Sequence, residues 1–208
     1  MTASRRSRLT ARSPAPTLIA TPRAVKRLAN SYGLLTAIRR DQRDADLAEQ
    51  QATIADPATG EPREVAFFPY RAGMVLLAAL IAFPALGPAL FLHLHHTAST
   101  HPDQPWQHFL GSLQPVQTPV GWKNTADPSM TPVQALQWQA LIDGLQRIAQ
   151  AAFELHLPLP EPFGAWHQWV VPVGRLSFPT GRIVNSLDRQ RPLPGHDSSS
   201  RAADRPRA

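Results

Sequence analysis

The sequence predicts an all-α protein, a compact bundle of about six helices between two basic tails. Three observations carry this expectation. Apolar residues recur at three- and four-residue steps in several segments, as at Val25, Leu28, Tyr32 and Leu35. Thr21-Pro22 and Thr131-Pro132 each set a capping hydroxyl before a proline, the residue that loses no needed N–H at a first helical position. No stretch alternates with period two for long enough to make a convincing strand.

Composition sets the organisation. The 208 residues fit one domain with tails: residues 1–20, a helical region at 21–187, and residues 188–208. The formal charge of +6 is uneven. Arg5, Arg6, Arg8 and Arg12 stand near the start without an acid among them, and Arg189, Arg191, Arg201, Arg205 and Arg207 lie among Pro, Ser and Asp near the end. Both tails read as disordered by composition. Their arginines suit solvation, or weak contact with nucleic acid or an anionic surface. The absence of cysteine removes disulfides and thiolate metal sites and fits a cytoplasmic protein. The basic start lacks the apolar run of a signal peptide.

The first helix is expected over Thr21 to Arg40, as a buried helix. Val25, Leu28, Tyr32 and Leu35 share one face, and Arg23, Lys26, Arg27 and Asn30 fall roughly opposite. Residues 40–64 read as a helix tail and then an exposed loop, broken at Asp56-Pro57 and Gly60. Met74 to Leu92 holds nineteen residues without a charge, long enough to span a bilayer. Pro84 and Gly87-Pro88 interrupt it, so two buried helices are expected instead, Ala72 to Phe83 and Pro88 to Ala98. Pro105 to Leu113 reads as a short helix with Trp106, Phe109, Leu110 and Leu113 inward. Gln114 to Pro128 is a proline-containing connector. The longest helix follows, from Pro132 to about Leu155. Val133, Leu136, Ala140, Leu141, Leu145, Ile148 and Ala152 lie at helical steps along it, with Trp138 and Phe153 on its flank. A short helix at Ala165 to Val171 and a turn with a short helix over Arg175 to Arg182 complete the bundle.

The strongest functional candidates are Arg23, Lys26 and Arg27. A helix N-terminus carries partial positive charge and free N–H groups, so cations there reinforce an anion site, although they oppose the dipole. A solvated basic face is the plainer alternative. His93, His95 and His96, with His101 and His108, suggest metal ligation, but no cysteine or acidic pattern supplies further ligands, so solvated histidines and no metal are expected. Arg175 and Arg182 are expected to pair with a helix C-terminus or with acids such as Asp143 or Glu154. Ser112 and Ser177 belong to no Ser–His–Asp order, so no nucleophile is expected. The five tryptophans, Trp106, Trp122, Trp138, Trp166 and Trp169, are expected to pack the core.

The run Pro22-Arg23-Ala24-Val25-Lys26-Arg27-Leu28-Ala29-Asn30, followed by Tyr32 and Leu34-Leu35, resembles the C-terminal lid segment of KAP-type P-loop NTPases. Tyr70 to Leu80 with Phe83 to Leu86, Trp169 to Val184, and the pairs Pro105-Trp106 and Phe109-Leu110 are similar to parts of the same lid, so the resemblance covers roughly Pro22 to Asn185. It implies that Arg23 reaches nucleotide phosphates as a sensor arginine, helped by Lys26 and Arg27. The chain departs from that family where the chemistry would be done. Its two lysines, Lys26 and Lys123, follow valine and tryptophan, so the GxxxxGK[ST] phosphate loop is missing. No strand ending in acidic residues suggests a Walker B carboxylate. The resemblance therefore implies a non-catalytic lid or sensor module, or a C-terminal fragment. Such a module takes no cofactor alone, and meets ATP and Mg²⁺ only beside a P-loop core domain or homologous ATPase subunit. Two other readings stand beside it: a small membrane-associated protein anchored by residues 74–92, and a basic helical nucleic-acid-binding module.

Overall fold

A computed structural model describes residues 18–19, 21–55, 59–113, 116–118, 121–123, 130–157 and 159–189. Among them the protein is mostly helical: α1 (Pro22–Ile38), α2 (Arg43–Leu47), α3 (Pro69–Ala82), α4 (Gly87–Thr100), α5 (Trp106–Ser112), α6 (Pro132–Glu154), α7 (Gly164–Gly174) and α8 (Phe178–Arg189). Two short antiparallel hairpins, β1 (Gln50–Ala55) with β2 (Pro62–Phe67) and β3 (Val116–Thr118) with β4 (Gly121–Lys123), add the only strands among these residues. Of the tails expected at residues 1–20 and 188–208, residues 1–17, 20 and 190–208 lie outside the described residues, as do Asp56 and Pro57, while Asp188 and Arg189 belong to α8 rather than to a tail.

The uncharged run becomes two helices. Pro69 opens α3 at its first turn, Phe83 ends it, and Pro88 stands in the first turn of α4. Each has 14 residues, about 21 Å of helix, where a bilayer core needs about 20 residues. No described helix is long and apolar enough to cross a membrane. Leu76, Leu77, Ala79 and Leu80 of α3 and Leu90, Phe91 and Leu94 of α4 are instead buried in the protein core.

Helix α7 is the hub. It packs against α3, α4 and α8, while α1 lies on α3 and α8 on α4. Close approach of α3 to α7 requires a glycine: a Cβ at Gly73 would stand 2.6 Å from the Trp169 ring. An aromatic cluster closes the N-terminal end of α7. Trp106 and Trp166 stack with ring centres 3.5 Å apart and planes 6° from parallel, flanked by Phe109 and Phe163. Backbone bonds hold the chain there: Trp106 N–H donates to Glu161 O (2.8 Å) and Phe163 N–H to Gln104 O (3.1 Å). Trp106, Trp138, Trp166 and Trp169 are buried as expected, and the side chain of Trp122 lies outside the described set.

Helix α6 starts at Pro132 as the capping signal predicts. Thr131 accepts from Gln134 N–H while the Gln134 side chain returns a bond to Thr131 N–H, a reciprocal capping box. Its inward face differs from the expectation. Val133 and Leu136 are 65% and 74% exposed, whereas Trp138, set on the flank by the sequence reading, is fully buried and donates through Nε1 to Leu113 O at 3.1 Å. The helix runs about 34 Å over 23 residues, and Val133 and Leu136 near its start turn to the exposed side. The buried strip is then set by Trp138, Leu141, Ile142 and Leu145.

Residues 40–64 also differ from the expected loop. A 3₁₀ turn (Arg40–Gln42) leads into α2, and Gln50 to Ala55 pairs with Phe67 to Pro62. Gly60, at φ 73°, takes the left-handed conformation in the connection.

The end of α6 stores a small local cost. His156 has φ 56°, while Leu157 N–H reaches back to Ala152 O (2.8 Å) and His156 N–H to Phe153 O (3.1 Å). This closure usually takes glycine at the left-handed position. His156→Gly is expected to raise the unfolding free energy by about 0.5–1 kcal/mol. Urea unfolding followed by circular dichroism checks it, and an unchanged or lowered midpoint would contradict the strain.

Candidate functional site

The N-terminal half of α1 forms as the sequence predicts. Thr21 is extended (φ −124°, ψ 147°), and its Oγ1 accepts from Ala24 N–H at 3.2 Å. Pro22 occupies the first turn, which holds no acidic residue. Arg23, Lys26, Arg27 and Asn30 are all exposed. Among the described residues none of the three cations pairs with an acid.

The apolar face is less buried than expected. Val25 is 53% exposed, Leu28 and Tyr32 are half-buried, and Leu35 is fully buried. Burial thus rises toward the C-terminal end of the helix, where it lies against α3. The basic end stands in solvent, so α1 is not the buried helix its pattern suggested. Leu34 and Ile38 are also exposed, on the same side as Arg23 and Arg27 at about 100° per residue.

Two contacts fasten α1, one before its basic start and one at its C-terminal end. Before it, Leu18 is buried against Gly144 of α6, where a Cβ would stand 2.8 Å from its side chain. The sequence reading placed Leu18 in the tail. After it, Arg39 makes a two-pronged ion pair with Asp46, Nε to Oδ2 at 2.9 Å and Nη2 to Oδ1 at 2.8 Å. The Arg39 guanidinium also lies 4.4 Å from the centre of the Trp169 ring. Burial, then the nearby Tyr70 and Asp46, hold the Tyr32 hydroxyl pKa above its usual value, with Arg43 opposing. The sequence reading missed this anchor. Arg39 and Asp46 stand seven residues apart across a change of helix, a spacing without a periodic signal, and Trp169 is 130 positions from Arg39.

The other candidates are scattered. His93 lies beside Trp138 on the α4 surface, His96 is exposed, and His95 faces His167 of α7. Among the described residues no three His, Cys, Asp or Glu side chains gather as a metal-binding group. Arg175 Nε, at the end of α7, donates to Asn185 Oδ1 of α8 at 2.8 Å, and Arg182 is exposed. Asp143 and Glu154, the acids suggested for them, accept from Gln139 and Gln150 of their own helix. Ser112 Oγ donates to Phe109 O at 2.7 Å.

The arrangement at α1 can attract and hold an anion, through three cations and the positive end of a 17-residue helix. Models of known protein families, curated proteins and solved structures give no match to this chain.

Proposed function

We propose that this protein is a non-catalytic helical lid or sensor module. Arg23, helped by Lys26 and Arg27, contacts the phosphates of a nucleotide held by a P-loop core that a partner supplies. The observation that carries the reading is the exposed, acid-free first two turns of α1, on a helix fastened by Leu18 on one side and Arg39 on the other. Arginine suits the role because its planar, permanently charged fork matches phosphate oxygens and stabilises the charge that builds up in phosphoryl transfer. ATP and Mg²⁺ would be bound by the partner, and this chain would add only the lid contact.

The test begins with the DNA directly upstream of Met1, read in all frames for a Gly-Lys-Ser/Thr loop. The P-loop protein found there is co-expressed with this chain and its ATP hydrolysis measured. Arg23→Ala is expected to lower kcat on the order of 10³-fold, as loss of an arginine finger does, with a much smaller change in nucleotide affinity. An unaltered kcat in a stable complex would remove the sensor role. Failure of the two proteins to associate would favour a basic nucleic-acid-binding module, whose affinity falls steeply with salt.

A further inference from the structure

His95 and His167 come from different helices and meet across the α4–α7 contact. Their ring centres are 5.5 Å apart and their planes are inclined by 36°. Both are half-buried, so each retains access to solvent. The helices that carry them are firmly placed. Leu94 and Ala98 of α4 are buried, as are Trp166 and Val170 of α7, and Gly164 N–H bonds to Pro102 O just beyond the end of α4.

That separation is within the range of an ordinary ring contact and is also wide enough to admit a shared metal ion. An imidazole nitrogen binds Zn²⁺ at about 2.0–2.1 Å, which sets the ring centre about 3.2 Å from the ion; two such rings at a tetrahedral angle have centres about 5.2 Å apart. We propose that His95 and His167 form a two-histidine site for a first-row divalent transition metal such as Zn²⁺, with water or an exogenous ligand completing the shell. The bound ion clamps α4 to α7. With two protein ligands the proposed site keeps open coordination positions rather than forming a closed structural centre. Imidazole suits Zn²⁺, Ni²⁺ and Cu²⁺, with Cu²⁺ the tightest of the three. Protons compete for the same ring nitrogens, so binding weakens as pH falls.

The experiment is thermal melting of the full chain in chelator-free buffer with increasing ZnCl2. Zinc bound to the folded state is expected to raise Tm by about 5–10 °C once it exceeds Kd about a hundredfold, and EDTA should reverse the rise. His95→Gln and His167→Gln, each shown by circular dichroism to fold without zinc, are expected to lose the rise. A His93→Ala/His96→Ala variant is expected to keep it. Absence of a zinc-dependent rise in the unaltered chain would overturn the proposal. Persistence of the rise in either glutamine variant would overturn it too, and loss in the His93/His96 variant alone would place the ion on α4 by itself.

Discussion

Asp46→Ala is expected to lower the unfolding free energy by about 3–5 kcal/mol, because it leaves the Arg39 guanidinium buried without its counter-charge. The two side chains are only 11% and 9% exposed, and both prongs of the pair are short. The loss comes less from the attraction removed than from the charge stranded beside Trp169. Replacing both partners, as Arg39→Met with Asp46→Leu, is therefore expected to recover most of the loss, since methionine can still cover the Trp169 ring. Chemical unfolding of the single and double variants decides it. A single-variant cost below about 1 kcal/mol would make this pair equivalent to an exposed surface bridge. The prediction also bears on α1. If Arg39 holds down its C-terminal end, amide hydrogen exchange along Leu28 to Ile38 should speed up in Asp46→Ala before the rest of the bundle responds.

Trp166→Ala should cost a similar amount, about 3–5 kcal/mol, for a different reason. The indole is fully buried, stacked on Trp106, and donates to Pro160 O at 2.8 Å. Truncation opens a large cavity among Trp106, Phe109 and Phe163, which are held in place by the backbone pairing of residues 104–106 with 161–163. Trp166→Phe keeps an aromatic face on Trp106 but removes the indole donor, and its cost is expected near 1–3 kcal/mol. Guanidinium unfolding read by far-ultraviolet circular dichroism separates the two variants. Equal costs would mean that the Pro160 bond, not the packed volume, dominates; a cost below about 2 kcal/mol for Trp166→Ala would show that the cluster closes around the gap.

Local chemistry made several features legible before any contact was known. Thr21-Pro22 and Thr131-Pro132 fix helix starts because a capping hydroxyl and a proline both act within one turn. The prolines and Gly87 divide the uncharged run into α3 and α4 for the same local reason. The inward set of α5, Trp106, Phe109, Leu110 and Leu113, was also readable, since so short a helix has only one face that can bury them all. At the candidate site, the cations of α1 and their place at a capped helix start could be read from spacing alone.

Features that depend on a distant partner were hidden. The hairpin of β1 and β2 lies in segments too short and too mixed to show period two, and cross-strand pairing makes it. The phase of α6 turns on where Trp138 is buried and finds the Leu113 carbonyl.

The sequence by itself determined an all-α bundle, the principal helix starts and the basic turn that carries Arg23, Lys26 and Arg27, because capping, chain breaking and charge act over a few residues. Only the tertiary structure decided that this turn stands in solvent while Leu35 is buried, that Arg39 closes on Asp46 over Trp169, and that His95 meets His167. Those outcomes depend on which surfaces of separate helices come to face each other, and no periodicity within one segment encodes that.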